Sequence, residues 1–499
     1  MSTRGRLLVI SNRMADDRPP AGGLVFALHA CLSARGGTWI GTAAETVETP
    51  AEHLRDSGGE AYRRLAFEIT EEEHRAFYLG YANSVLWPLF HGRTDLMDQR
   101  PEDYEGYRRV NARLAAHIVE HLDPDDMLWV HDYHFLPLAA ELRARGVANR
   151  IGFFLHIPFP AATTLPALTH GEDLLDWLGA FDLVGLQTQR DVAKCLDAMR
   201  SRPGNEILRA GQVRTGDRFT TIMSFPIGID AEDFARAADG PCPHLGLHRN
   251  EKLVIGVDRL DYSKGLVNRF RGFGQFLDGL DDDDPRATLL QIAPPSRGDV
   301  TAYQRIREAL ERMAGSVNGT HAWLDWTPIR YICRPVGREA LAPLFRRADA
   351  ALVTPLADGM NLVAKEYVAA QDPEDPGVLI LSTLAGAAEQ LTEAVLVNPY
   401  DPDDIAAGLS AALTMPRDER VARHAALRET VFGEDIGWWT DRYLDALAGS
   451  AAPGINATDT MHPKLRSALR RCGLPSDTAP QPAPLSGAAS DPTDLSGVS

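Results

Sequence analysis

"AALVTPLADGMNLVAKEYVAAQDPEDPGVLILS", residues 350–382, is the stretch whose reading decides the fold. Its first seven residues, Ala350 to Leu356, form an apolar run of strand length, and Gly377 to Ser382 form another. Between them lies a turn written Asp358-Gly359-Met360 and a helical pattern over 361–371. Strand, turn, helix, strand is the unit of a parallel sheet, and strands this continuously apolar are what a sheet covered on both faces requires.

The same alternation extends in both directions. One series comprises "RLLVIS" (6–11), "MLWVHD" (127–132), "IGFFLHIP" (151–158) and "LVGLQ" (183–187). A second comprises "LVIGVDR" (253–259), "TLLQIAP" (288–294), the two strands already quoted, and "AVLVNP" (394–399), with helical patterns such as "YHFLPLAAELRARG" (133–146) between strands. The Pro- and Gly-containing stretch 226–250 separates the series. The fold class is therefore α/β with two Rossmann-like domains, residues 1–235 and 236–450. A Pro/Ser/Ala-rich tail, 451–499, is expected to be disordered from about residue 475.

With 499 residues the chain is too long for one core. Against 69 Asp and Glu it carries 51 Lys and Arg, a net charge of -18, which argues against nucleic acid as a partner. No apolar stretch approaches the roughly 18 residues of a membrane span, and the run before Ser11 is too short for a secretion signal. A cytoplasmic protein is the expectation. Its five cysteines, Cys31, Cys195, Cys242, Cys333 and Cys472, have no metal-like spacing.

The polar residues that stand out lie at strand ends, where two facing α/β domains bind ligands. In "VDRLDYSKG", Arg259 and Lys264 could stabilise charge developing on a diphosphate leaving group. They read equally as surface ions paired with Asp258 and Asp261. In the quoted turn, Gly359 permits close backbone approach, Asn361 can cap, and the N–H groups of Leu362 and Val363 offer an anion site. Glu366 would repel a phosphate, so a carboxylate there suits hydroxyl groups such as those of a ribose. Here too a plain cap, with Lys365 and Glu366 as an exposed polar face, reads equally well.

Arg13 after the first strand, Arg297 in "PPSRGDV", and Gly22 and Gly23 in "AGGL" suggest a second phosphate site shared between domains. His156 ends a strand between apolar residues, where a lone histidine is usually a satisfied core residue. "WVHDYHF" brings His131, Asp132 and His134 together, but strand alternation would point His131 and Asp132 to opposite faces, so no metal is expected there. The run "DDDDP" (281–285) reads as a solvated loop.

Nine segments in order, "VISNR", "AGGL", "SVLWPLFHGR", "VHDYHFLPLAAELR", "IGFFLHIPFP", "DRLDYSKG", "PSRGDV", "VTPLADGMNLVAKEYVAAQ" and "LSTLAGAAEQL", resemble the retaining glycosyltransferases of the trehalose-6-phosphate synthase family over about residues 6–450. The resemblance implies a GT-B fold with the active site between the domains and the last helices before residue 450 crossing back to the first. It implies transfer of glucose from a nucleotide sugar, usually UDP-glucose, to glucose 6-phosphate, giving α,α-trehalose 6-phosphate, with no metal and no other cofactor. By motif, Arg259 and Lys264 resemble the diphosphate ligands, with Gly22 and Gly23 beside the donor. Asn361, Leu362, Val363 and Glu366 resemble the nucleotide-binding turn, and Val336 stands beside the base where bacterial relatives often carry Phe.

Asp358 and His156 resemble the residues that grip donor glucose, and Arg13, Tyr78, Trp87, Asp132 and Arg297 resemble the acceptor site. The loop 14–20 before "AGGL", rich in charge and Pro, reads as a mobile lid over the donor. Relatives are often dimers or tetramers, which makes a homo-oligomer the expectation. Two alternatives remain at this level: a sister enzyme that glucosylates glycerol 3-phosphate, and a catalytically silent sugar-phosphate sensor.

Overall fold

Runs of Val, Ile, Leu and Phe closed by Ser, Asp or Gly become the strands of two sheets in the computed structural model, which describes residues 5–15, 23–208, 211–281, 283–295 and 301–449. The expected lid at 14–20, Gly22, Arg297 and the tail 451–499 fall wholly or largely outside those residues.

The first sheet has ten strands: β1 (Leu7–Ser11), β2 (Thr38–Thr42), β3 (Arg55–Asp56), β4 (Arg63–Phe67), β5 (Met127–His131), β6 (Arg150–Phe154), β7 (Leu183–Leu186), β8 (Asn205–Ile207), β9 (Gln212–Thr215) and β10 (Arg218–Ser224). Their order is 3-4-2-1-5-6-7-10-9-8, parallel from β4 to β10 and antiparallel at both edges. The second sheet has six parallel strands: β11 (Lys252–Val257), β12 (Ala287–Ile292), β13 (Ile329–Ile332), β14 (Ala350–Val353), β15 (Val378–Ser382) and β16 (Val395–Val397). Spatially they run β13-β12-β11-β14-β15-β16, the doubly wound order of a nucleotide-binding fold. Every residue of β1, β7, β12, β14 and β15 is buried, because helices cover both faces.

Strand order reverses between the parallel neighbours β1 and β5 in one sheet and β11 and β14 in the other. Side chains just beyond those strands therefore line a crevice in each sheet. The end of β11 is fixed by a buried Arg269, whose guanidinium pairs with Asp258 at 2.7 Å and donates to Gln291 on β12 at 2.9 Å and Thr354 after β14 at 3.1 Å. One cation thus ties three strand ends, and Arg259 projects from the residue next to its partner. A buried pair of this kind fixes geometry more than it adds stability.

After helix Arg417–Gly433, packed on helix Leu362–Ala370 of the second sheet, the chain turns at Glu434 and runs back as helix Ile436–Leu447. Trp439 and Tyr443 of that helix meet Trp129 of β5 at 5.0 and 4.6 Å, and the Tyr443 hydroxyl donates to the Phe153 carbonyl at 3.0 Å. These aromatic pairs each add about 0.5–1.5 kcal/mol beyond burial and hold the last helix against the first sheet.

Two elements differ from their sequence pattern. Residues 133–146 form a tight turn at Tyr133–Phe135 and a helix only from Leu138 to Ala144, since Pro137 has no N–H for an earlier turn. Residues His74–Leu86 form wide π-helical turns, a rare geometry, in which the side chains of Asn83 and Ser84 donate to the carbonyls of Tyr78 and Leu79 five residues back. Among the described residues, no helix is long and apolar enough to cross a membrane.

Candidate functional site

The turn after β14 is built around Asp358. Its Oδ2 accepts from Lys264 Nζ at 2.5 Å and from Asn361 Nδ2 at 3.0 Å. Asn361 has a positive φ of 77° and caps helix Leu362–Ala370 by accepting from the Ala364 N–H at 3.2 Å. That bond satisfies the third helical N–H and leaves those of Leu362 and Val363 at a helix start, the usual place for an anion. Lys264, set on the turn Tyr262–Lys264, supplies a cation beside it. The expected surface pairs with Asp258 and Asp261 do not form: Asp258 is taken by Arg269, and Asp261 accepts from the Ser263 N–H and the Tyr303 hydroxyl.

Arg259 remains without an ion pair among the described residues, and its guanidinium lies over the ring of Trp87 at 5.9 Å, across the space between the sheets. Gly359 makes the second crossing. A Cβ at that position would lie 2.2 Å from the His156 carbonyl oxygen, so only glycine lets the two backbones meet.

On the first sheet, Asp132 leaves β5 with φ 71° and ψ 166°, a conformation reserved almost entirely for glycine. Asp132 and Asn361 are the two non-glycine residues with positive φ among the described residues, and both lie at this seam. The kink ends the alternation expected of "WVHD". Instead of facing away from one another's partners, both residues reach His156: Asp132 Oδ1 accepts its N–H at 3.3 Å, and His131 Nδ1 lies 3.0 Å from its Nε2. Burial drives the His156 pKa down to about 3 and the His131 value well below its usual one, so both rings are neutral at pH 7.

Tyr78 stands in the π-helical turns and stacks on His134 at 5.7 Å, while Trp87 packs on Tyr133 at 5.8 Å and His91 at 4.2 Å. Arg13 is exposed past the end of β1, whose partner β5 carries Asp132 at the matching end. Gly23 starts helix Gly23–Arg35; Gly22 and Arg297 lie outside the described residues. Val336 is half-buried, two residues from Arg338, and Arg338 is the cation that opposes the rise of the Glu366 pKa to about 7 on burial. Lys365 is not part of an exposed face. It is buried, its pKa falls to about 7, and Nζ donates to the Ile227 carbonyl at 2.7 Å, tying the helix to the segment between the sheets.

The structure thus brings together Asp132, His156, Trp87, Arg259, Lys264, Asp358 and Asn361, with Leu362, Val363 and Glu366 following on one helix. Motif reading missed two neighbours. His131 pairs in register with Phe154, which puts His156 two residues on and diagonal to it, a relation set by strand pairing. His91, buried with its pKa lowered to about 4, feels the charges of Asp261, Lys264 and Asp358. Among the described residues no group of three or more His, Cys, Asp or Glu is placed to hold a metal ion. The arrangement offers two cations and a helix start for an anion, carboxylates for hydroxyl groups, and neutral imidazole at the seam.

The profile of glycosyltransferase family 20 matches residues 7–449. The trehalose-6-phosphate synthase of Cronobacter sakazakii is 46% identical over 451 residues, covering 89% of this chain and 95% of that protein. A similar fold is found in an α,α-trehalose-phosphate synthase (UDP-forming) from Burkholderia xenovorans solved in complex with glucose-6-phosphate, with TM-score 0.85 and 42% identity over 89% of this chain and all of that one. An E. coli structure described as trehalose-6-phosphate bound with UDP-2-fluoro glucose superposes with TM-score 0.86 at 43% identity, over 90% of this chain and all of that one.

Proposed function

The chain belongs to glycosyltransferase family 20, and from that premise we propose that it transfers glucose from UDP-glucose to glucose 6-phosphate with retention, forming α,α-trehalose 6-phosphate and UDP on a GT-B scaffold. The observation that carries this reading is the seam itself. A turn with a cation and a free helix start is held by Gly359 directly against His156 and Asp132 of the opposite sheet.

Arg259 and Lys264 take the negative charge that builds on the diphosphate as its bond to glucose breaks, a role worth most in the transition state. The Leu362 and Val363 N–H groups approach the nucleotide, Glu366 accepts from ribose hydroxyls, Val336 lies beside the base, and Gly22 and Gly23 flank the donor. Asp358 and His156 grip donor glucose. Arg13, Tyr78 and Arg297 hold the acceptor phosphate, Trp87 shapes its pocket, and Asp132 accepts from an acceptor hydroxyl.

Asp358 is a poor nucleophile here, because one of its oxygens already accepts from both Lys264 and Asn361. His156 is neutral and serves as a hydrogen-bonding group. With neither Asp132 nor Asp358 assigned as nucleophile, attack on the face the diphosphate leaves accounts for retention, and the departing phosphate oxygen takes the acceptor proton. Residues 1–235 supply the acceptor half and 236–450 the donor half. Both substrates are charged phosphates that do not cross membranes, which supports a cytoplasmic enzyme; the net charge of -18 speaks against a nucleic-acid partner, and a homo-oligomer is proposed by analogy with the family.

The test is to incubate the protein with UDP-, GDP- or ADP-glucose and either glucose 6-phosphate or glycerol 3-phosphate, measuring nucleotide release and identifying the product. Trehalose 6-phosphate from UDP-glucose is expected. Turnover with glycerol 3-phosphate alone, or binding without turnover, would refute the reading.

A further inference from the structure

Helix Gln189–Ser201 follows β7 and starts where the two sheets face each other. Thr188 caps it, accepting from the Asp191 N–H through Oγ1 at 3.0 Å, and the Val192 N–H closes on the Thr188 carbonyl at 3.1 Å. The two N–H groups left over, those of Gln189 and Arg190, donate to a carboxylate from the other sheet's loops. They reach Glu389 Oε2 at 2.9 Å and Oε1 at 3.2 Å, while Arg190 Nη1 donates back to the Thr383 carbonyl at 3.1 Å. The first three helical N–H groups are thereby satisfied, two of them by one foreign side chain.

Glu389 closes the short turn Gly386–Glu389, which is bonded to the donor turn at two points. The Gly386 N–H donates to the Asp358 carbonyl at 3.1 Å and the Ala387 N–H to the Met360 carbonyl at 2.8 Å. A Cβ on Gly386 would lie 1.8 Å from the Gly359 carbonyl oxygen, so the two turns have no room to slide. From the other side the same helix start holds the loop after β6. Phe159 N–H donates to Asp191 Oδ1 at 3.1 Å, and Lys194 Nζ donates to the Phe159 carbonyl at 3.1 Å, three residues beyond His156. One helix start thus carries the His156 loop through Asp191 and the Asp358 turn through Glu389.

We propose that Glu389 is a positioning residue for glucosyl transfer: by clamping the Asp358–Asn361 turn to the start of helix Gln189–Ser201, it sets where Asp358 stands relative to His156. This rests on the glucosyltransferase reading above. Glu389 acts through the turn it anchors.

Glu389→Gln keeps the size but leaves one acceptor oxygen for two N–H groups and turns a donor toward the helix start. Its kcat for trehalose 6-phosphate should fall about tenfold to a hundredfold, the scale of a small misplacement of reacting groups. UDP affinity should stay close to wild type, because Leu362, Val363 and Glu366 ride on the helix that follows the clamped turn and Lys264 is bonded to Asp358 within it. The share of UDP-glucose lost as free glucose should rise. Glu389→Asp, which keeps two acceptor oxygens, should recover part of kcat. Melting curves accompany each variant.

Wild-type kcat and wild-type hydrolysis in Glu389→Gln would overturn the proposal. So would loss of UDP affinity in parallel with kcat, or a Glu389→Asp variant as impaired as Glu389→Gln with an equally lowered melting temperature, since either marks a merely structural contact. A wild-type protein that makes no trehalose 6-phosphate overturns the glucosyltransferase reading itself, and that outcome is visible before any variant is compared.

Discussion

Replacing Gly359 with alanine tests the seam at its tightest point. The added methyl would sit 2.2 Å from the His156 carbonyl oxygen and 3.0 Å from the Ile157 carbonyl carbon, where ordinary contact begins near 3.4 Å. Both obstacles are backbone, so no side chain can swing aside. The turn and the His156 loop must separate by about 1.2 Å, and a shift near 1 Å between reacting groups costs on the order of a hundredfold in rate. The contacts assigned to UDP, at Arg259, Lys264, Leu362, Val363 and Glu366, lie on the side of the turn that moves as one piece. Gly359→Ala should therefore lower kcat for trehalose 6-phosphate about a hundredfold while leaving UDP affinity, measured by calorimetry, close to wild type. Wild-type kcat in a folded Gly359→Ala protein would refute the claim that this backbone approach sets the reacting geometry.

Arg259→Ala should lower kcat/KM by about a hundredfold to a thousandfold, the usual effect of losing one transition-state electrostatic group, and steady-state kinetics with saturating glucose 6-phosphate would show it. Glu366, whose pKa burial raises to about 7, must be ionised to accept from two ribose hydroxyls, so UDP affinity should fall as pH drops from 8 to 6. The excess loss over Glu366→Gln should approach tenfold, since protonation removes the accepting form below its pKa; parallel pH profiles for the two proteins would contradict that role. Asp132→Gly should raise thermal stability by about 1 kcal/mol or more by relieving a backbone conformation suited to glycine, and lower turnover at least about tenfold. A destabilised Asp132→Gly protein would mean that the carboxylate contact with the His156 N–H outweighs the strain.

The strands were readable because both sheets are covered on both faces, so every residue of β1, β12, β14 and β15 is buried and most are apolar, with Thr288 and Gln291 the polar exceptions inside β12. The strand-end positions of Asp132, His156, Arg259 and Asp358 were readable for the same reason. What escaped depends on which distant segments meet. Lys365 reads as an exposed polar residue until Ile227, far off in sequence, supplies its carbonyl. His131 gains meaning only from the register of β5 with β6, and the positive φ at Asp132 has no marker in "WVHDYHF". Glu389 looks like a surface acid in "GAAEQL" until the start of helix Gln189–Ser201 is brought to it. Local pattern carries elements; pairing between segments carries the seam.

Glucose transfer is proposed to proceed with retention and without a covalent intermediate, at a seam between two sheets. The most direct measurement is proton NMR of the product formed from UDP-[1-¹³C]glucose and glucose 6-phosphate, followed from the first turnover, with mass spectrometry of the quenched protein. An α-configured labelled anomeric carbon in trehalose 6-phosphate, with no glucosyl group on Asp132 or Asp358, is the predicted result. A β-configured product, or a labelled peptide carrying either carboxylate, would contradict the account.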